Sequence, residues 1–155
     1  MDIRRDDLTH PEVIALLDLH LRSAFENSPP GSVFALDLTG LRDPAVTLWS
    51  AWEKQGQGET LLGLGALKQL DAEHGELKSM RTAPAHLRRG VAAAMLDHLI
   101  AEGRRRGYAR LSLETGNNAP FAAARALYER AGFVPCGPFA DYIDESFSRY
   151  YNLDL

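Results

Sequence analysis

The sequence predicts an α/β (α+β) fold, a mixed and mostly antiparallel central sheet flanked by helices, and three observations carry that expectation. β-Prone segments separated by short turns fill the stretch from Ala45 to Thr82. After it, two amphipathic helical stretches alternate with apolar strands up to Val134. The chain has 155 residues, 45% hydrophobic and 25% charged, which suits one domain over 1–155 that buries its core without disulfides or metal.

In chain order, Asp2 to Arg5 reads as a short strand. Pro11 to Phe25 carries Val13, Ile14, Leu16, Leu17 and Leu21 at helical spacing and reads as a buried helix. Asn27 to Ser32 is a loop, and Phe34 to Asp43 is irregular; together they suit a wall facing a substrate. Val46 to Trp52 is a strand, Gln55-Gly56-Gln57-Gly58 a turn, and Thr60 to Leu70 the returning strand. Glu76 to Thr82 is a third antiparallel strand with Glu76, Lys78 and Met80 on one face, ended by Pro84.

Gly90 opens a helix that runs to about Arg106. Ala92, Met95, Leu96, Leu99, Ile100 and Gly103 fall on one face of it, and Gly107 is placed to end it. Tyr108 to Thr115 alternates as a strand. Gly116-Asn117-Asn118 turns the chain, with Asn118 an expected N-cap and Pro120 tolerated in the first turn of a helix ending at Ala131. Phe133-Val134 begins a further strand, and Ser146 to Leu153 makes the last.

The net charge of −4 opposes general nucleic-acid binding, so no nucleic-acid partner is expected. The charge is unevenly spread. From Arg81 to Arg110 there are seven arginines against only Asp97 and Glu102, inside an otherwise acidic chain. That pattern suggests a local anion site rather than a basic face for a polymer. Arg104, Arg105 and Arg106 are explained as a solvated last helical turn, where cations suit the macrodipole. Arg88 and Arg89 are not, because cations at a helix start oppose the dipole unless an anion binds there.

No run approaches membrane-spanning length and no leader-like apolar segment opens the chain, so a cytoplasmic protein with no membrane partner is expected. Cys136 is the one cysteine, which suits a reducing compartment. The five histidines show no metal-ligand spacing, no Gly-x-Ser-x-Gly elbow is present, and Gly63-Leu64-Gly65 is no dinucleotide fingerprint.

Two short motifs point to the chemistry. The first is Leu87-Arg88-Arg89-Gly90-Val91-Ala92, where a glycine lets the backbone of a helix start approach an anion. The second, about 40 residues on, is Leu127-Tyr128-Glu129-Arg130-Ala131-Gly132-Phe133. With the Glu76 to Thr82 strand ahead of them, they resemble the GCN5-related N-acetyltransferase (GNAT) superfamily. Its phosphate loop reads Gln/Arg-x-x-Gly-x-Gly/Ala, and a Leu-Tyr-x-x-x-Gly-Phe segment follows. The resemblance is good from Thr60 to Val134. Leu87 departs from the Gln/Arg position and Phe121 from a frequent asparagine, which removes side-chain contacts but no backbone donor.

The resemblance implies a GNAT-like fold and acetyl-CoA as co-substrate, with no metal. Its pyrophosphate would lie on the backbone N–H groups of Arg88, Arg89, Gly90, Val91, Ala92 and Ala93, with the two arginines adding charge-assisted contacts. The pantetheine arm would pair with the backbone of Met80, Arg81 and Thr82. Tyr128 is implied as the candidate acid, its phenol hydrogen-bonding to or protonating the leaving sulfur. Glu76 is the first candidate for the base and Glu114 the second, with water-mediated deprotonation also open. Pro138 to Tyr142 is open between a pocket wall and a plain surface loop.

The activity expected is acetyl transfer to a primary amine, that of a small-molecule acceptor, by direct attack. The alternatives are a protein or peptide N-acetyltransferase and a non-catalytic acyl-CoA-binding module. A homodimer is left open.

Overall fold

The computed structural model describes residues 1–155. Its elements are β1 (Asp2–Arg5), α1 (Pro11–Asn27), α2 (Leu38–Leu41), β2 (Val46–Gln55), β3 (Gly58–Asp71), β4 (His74–Thr82), α3 (Val91–Arg105), β5 (Arg110–Gly116), α4 (Ala122–Arg130), β6 (Val134–Cys136) and β7 (Ser148–Asp154). The strands form one seven-stranded sheet in the order β1-β2-β3-β4-β5-β7-β6. Every neighbouring pair is antiparallel except β4 and β5. That exception follows from the helix between them, because a parallel pair requires a crossover.

Each face of the sheet buries its own apolar cluster. Against α3 and α4 lie Leu62, Leu67, Leu77, Met95, Leu99, Leu111, Leu113 and Tyr128. Against α1 and α2 lie Val13, Leu17, Leu41, Leu48, Trp52, Leu64 and Ala66. α3 sits unusually close to β3 because Gly65 has no side chain; a Cβ there would fall 2.6 Å from Met95 Cγ and 3.0 Å from Met80 Sδ. No helix is long and apolar enough to cross a membrane.

Four expectations change. The irregular Phe34 to Asp43 stretch contains α2, capped by the Asp37 carboxylate accepting from Gly40 N–H at 2.8 Å. Asn118 does not cap with its side chain; its amide instead donates to the Asn27 carbonyl at the end of α1. Arg106 is packed rather than solvated, lying 5.5 Å over the Trp49 ring and bonded to Glu102 and Thr47.

The fourth change concerns the faces of β4. Lys78 pairs with Ala66 and Arg81 with Leu64, so three steps along β4 match two along β3. The extra residue makes a bulge around Ser79, whose φ is 55°. Lys78 and Arg81 therefore share the α1 face, opposite two members of the α1-side cluster. Met80 turns to the other face and packs on the α3-side cluster, so it does not share a face with Glu76 and Lys78.

Candidate active site

β4 and β5 are registered only over His74–Arg110, Gly75–Leu111 and Glu76–Ser112. Beyond that β4 runs on to Thr82 and β5 to Gly116 without pairing to each other. The β3 side of β4 stays paired as far as Thr82, so only the side facing β5 is left bare. A cavity of about 130 Å³ opens in this parting. Ser79, Met80, Glu114 and Thr115 line it from the two strands, Tyr128 and Ala124 from α4, and His20 and Ala24 from α1. It thus passes through the sheet and joins the two faces.

The loop before α3 stands at the end of the same strand. Arg88 and Gly90 both take left-handed φ, 61° and 81°, and Gly90 is the N-cap with no side-chain cap. None of the backbone N–H groups from Leu87 through Ala93 donates within the protein; the first that does is Ala94, to the Gly90 carbonyl at 3.0 Å. The space around Gly90 is open. A row of unpaired N–H groups at the positive end of a 15-residue helix is a cradle for an anion.

The two arginines of the loop differ. Arg89 is bound in a fork to Glu53, at 2.8 and 3.2 Å, and touches His86 Nδ1 at 2.6 Å. It holds the loop to β2. Arg88 is exposed and makes no side-chain bond, so it is the freer cation.

Tyr128 is 7% exposed, and its hydroxyl has no protein partner. Burial, then the Glu114 charge, pushes its pKa well above the ordinary phenol value. Glu114 faces the same cavity, and burial raises its carboxyl to about 7. Ser148 Oγ lies 2.8 Å from Glu114 and 2.7 Å from Glu145. One hydroxyl proton cannot serve both carboxylates, but a protonated Glu114 can donate to Ser148 while Ser148 donates to Glu145.

Glu76 is differently placed. Its carboxylate is buried, accepts from the Tyr142 hydroxyl at 2.5 Å, and pairs with Lys78 at 3.4 Å. It lines a neighbouring, wider cavity of about 710 Å³ with Tyr142, Asp141 and His74. Lys78 also donates to the Phe34 carbonyl at 2.9 Å and to Tyr142 at 3.0 Å. It thus fastens two distant loops to β4.

The parting therefore brings together Met80, Tyr128 and Glu114, with Arg81 and Thr82 on the bare strand and Arg88 to Ala93 beyond. It does not bring in Glu76. His20 and Ser79 also reach the cavity and had no signal in the sequence, since one sits mid-helix and the other on a bulge. No group of three or more His, Cys, Asp or Glu side chains is placed to hold a metal ion.

Residues 13–133 match the acetyltransferase (GNAT) family. The chain belongs to this family. It is 56% identical over its whole length, and the whole of the relative, to the uncharacterized N-acetyltransferase YsnE of Bacillus subtilis (strain 168). It is 53% identical to the uncharacterized N-acetyltransferase YedL of Escherichia coli (strain K12), covering 99% of this chain and 94% of that one.

Among solved structures, a Klebsiella pneumoniae protein assigned as an acyl-CoA N-acyltransferase superposes with a TM-score of 0.79 at 29% identity, over 99% of this chain and 97% of that one. The fold also matches a GNAT family acetyltransferase from Elizabethkingia anophelis with acetyl-CoA bound, at TM-score 0.68 and 17% identity, over 99% and 97% of the two chains. This GNAT protein is an N-acetyltransferase of the acetyl-CoA-dependent kind.

The Lys78–Glu76 pair gives a stability test. Both side chains are at most 10% exposed, so deleting one partner leaves a buried charge without compensation. Lys78→Ala is expected to lower unfolding free energy by about 3–5 kcal/mol in denaturant titration. The double change Lys78→Met with Glu76→Gln should recover a substantial part of that loss.

Proposed function

We propose that this chain transfers the acetyl group of acetyl-CoA to the primary amine of a small molecule by direct attack. The observation that carries the reading is the single cavity between the parted strands, with Glu114 and Tyr128 both on its wall and bare backbone between them. The pyrophosphate would rest on the N–H groups of Arg88 to Ala93, with Arg88 as the nearer side-chain cation. The pantetheine arm would add to the unpaired side of β4 at Met80, Arg81 and Thr82, as an extra strand adds to a sheet edge.

In this reading the amine nitrogen attacks the thioester carbonyl, a C–N bond forms and the C–S bond breaks. The attacking amine gives up a proton to Glu114, the better-placed of the two carboxylates suggested by sequence. Glu76 already holds Lys78 and Tyr142 and stands outside the cavity. From Glu114 the proton has an onward path through Ser148 to Glu145. A backbone N–H at the Ser79–Met80 bulge would meet the developing oxyanion.

Tyr128 would meet the leaving sulfur. Its raised pKa makes full proton transfer to a thiolate, with an ordinary pKa of about 8.5, uphill. Its role is therefore a hydrogen bond to the sulfur that strengthens as negative charge grows. The cavity's small size and its enclosure by α1 favour a small acceptor over a folded protein surface.

Three outcomes are expected. Gly90→Glu puts a bulky anion and a strained left-handed residue at the phosphates, so CoA affinity measured by calorimetry should fall at least 100-fold. Wild-type affinity would remove the loop from the site. Because Glu114 titrates near 7 and a base must be unprotonated, kcat/KM should rise from pH 6 to 8. Glu114→Gln should lower the rate and erase that limb, leaving only the titration of the amine. Tyr128→Phe should reduce kcat roughly 10- to 100-fold with CoA affinity little changed, since one hydrogen bond to a charged group is worth about 1.5–3 kcal/mol.

A further inference from the structure

The α1 face of the cavity carries polar groups that no protein atom satisfies. Ser79 is only 8% exposed, lies at the cavity wall, and its Oγ has no hydrogen-bond partner. His20, across from it on α1, also lines the cavity, and its Nδ1 is buried and unpartnered. Two buried orphan polar atoms on one small wall cost stability unless a ligand supplies the missing bonds.

The charges on that wall are just as uneven. Lys78, also on the cavity wall, is already paired with Glu76 and donates to the Phe34 carbonyl and the Tyr142 hydroxyl, so its charge is compensated within the protein. Arg81 shares its face, is half-buried, and makes no hydrogen bond or ion pair. It is near enough to His20 to help hold that imidazole neutral, with a pKa lowered to about 4, chiefly by burial and then by Arg81 and Lys78. The carboxylate on the cavity wall is Glu114, on the other strand. The cleft thus has one carboxylate on the β5 side, and on the β4 side Arg81, outside the cavity lining but close enough to His20 to act on it, is the one cation without a partner. That is the charge pattern of an amino acid in reverse.

We propose that the acceptor is an amino acid, or a small amine bearing a carboxylate, held with its carboxylate on Arg81, Ser79 and His20 and its amine toward Glu114. This rests on the acetyl transfer proposed above and names its substrate class. A neutral amine would leave Arg81, Ser79 and His20 unpaired, which is how a polar site rejects an analogue lacking the matching group. The guanidinium does not interfere with the proposed cofactor path, because the bulge puts it on the α1 face while that path follows the unpaired, β5-facing side of the strand.

The test measures release of free CoA from acetyl-CoA, with L-amino acids and their matching carboxamides as acceptors. In the wild type, kcat/KM for the acids should exceed that for the carboxamides by roughly 10- to 100-fold. Arg81→Gln should collapse that ratio toward one, mainly through KM, and Arg81→Lys should restore part of it. Comparing ratios between variant and wild type cancels differences in amine basicity.

Carboxamides that serve as well as acids in the wild type would overturn the acceptor class while leaving acetyl transfer standing. So would an Arg81→Gln loss that is equal for both acceptor types. Bound acetyl-CoA with no acetylation of any small amine would overturn both readings.

Discussion

Two parallel strands that begin to pair at one end of a sheet normally continue, because each further residue gains ladder bonds already aligned by the last. Here β4 and β5 stop after Glu76 and Ser112. The bulge at Ser79 spends one residue without advancing the register, and the helices on either face pack over the widening gap. Everything at the site depends on that parting. It exposes one side of β4, opens a passage from one sheet face to the other, and points the strand's end at the start of α3. A continuous sheet of the same sequence would hold Tyr128 and Glu114 on opposite sides of a wall.

Electrostatics around the passage divide into settled and unsettled charge. Glu76, Lys78 and Tyr142 form a closed set in which every strong donor has an acceptor. Arg89 with Glu53, and Arg106 with Glu102, are settled in the same sense. What is left over is informative: Arg88 beside unpaired N–H groups, Arg81 without an ion pair, Ser79 and His20 with orphan polar atoms on the cavity wall, and Glu114 with its carboxyl raised by burial. Groups that fold without partners are the ones that wait for a ligand.

Much of this was legible in the residues. Helical spacing found α1 and α3, Gly90 and Gly107 marked the ends of α3, and the pairing of Arg-Gly-Val-Ala with Leu-Tyr-x-x-x-Gly-Phe fixed the family. Alternation failed at Ser79, since a bulge leaves no trace in a pattern of period two, and that one slip misplaced Met80 relative to Lys78. The order of Glu76 before Glu114 had no local support for a related reason. Both lie on the α1 face of adjacent strands, and only the parting puts Glu114 on the wall of the cavity that Tyr128 shares while Glu76 faces the neighbouring one. Asn118 looked like a cap because its local sequence suits one, yet a carbonyl 91 residues away competes for its amide and wins.

Lys78 has one more implication, for how such a protein diversifies. A single ammonium group joins the Phe34 carbonyl, in the connection after α1, to the Tyr142 hydroxyl, in the connection before β7. The two segments are far apart in sequence, and the second is tied to β4 once more through the Tyr142 hydroxyl on Glu76. One tie is to a main-chain carbonyl, which any residue at position 34 supplies; the other needs a phenol at 142. Lineages of this fold should then vary more at 34, where the edge contact of the Phe34 ring with Tyr142 is the remaining constraint, than at 142, and a change at 142 should travel with changes at 76 and 78. Acceptor preference would evolve by exchanging side chains around a fixed clasp.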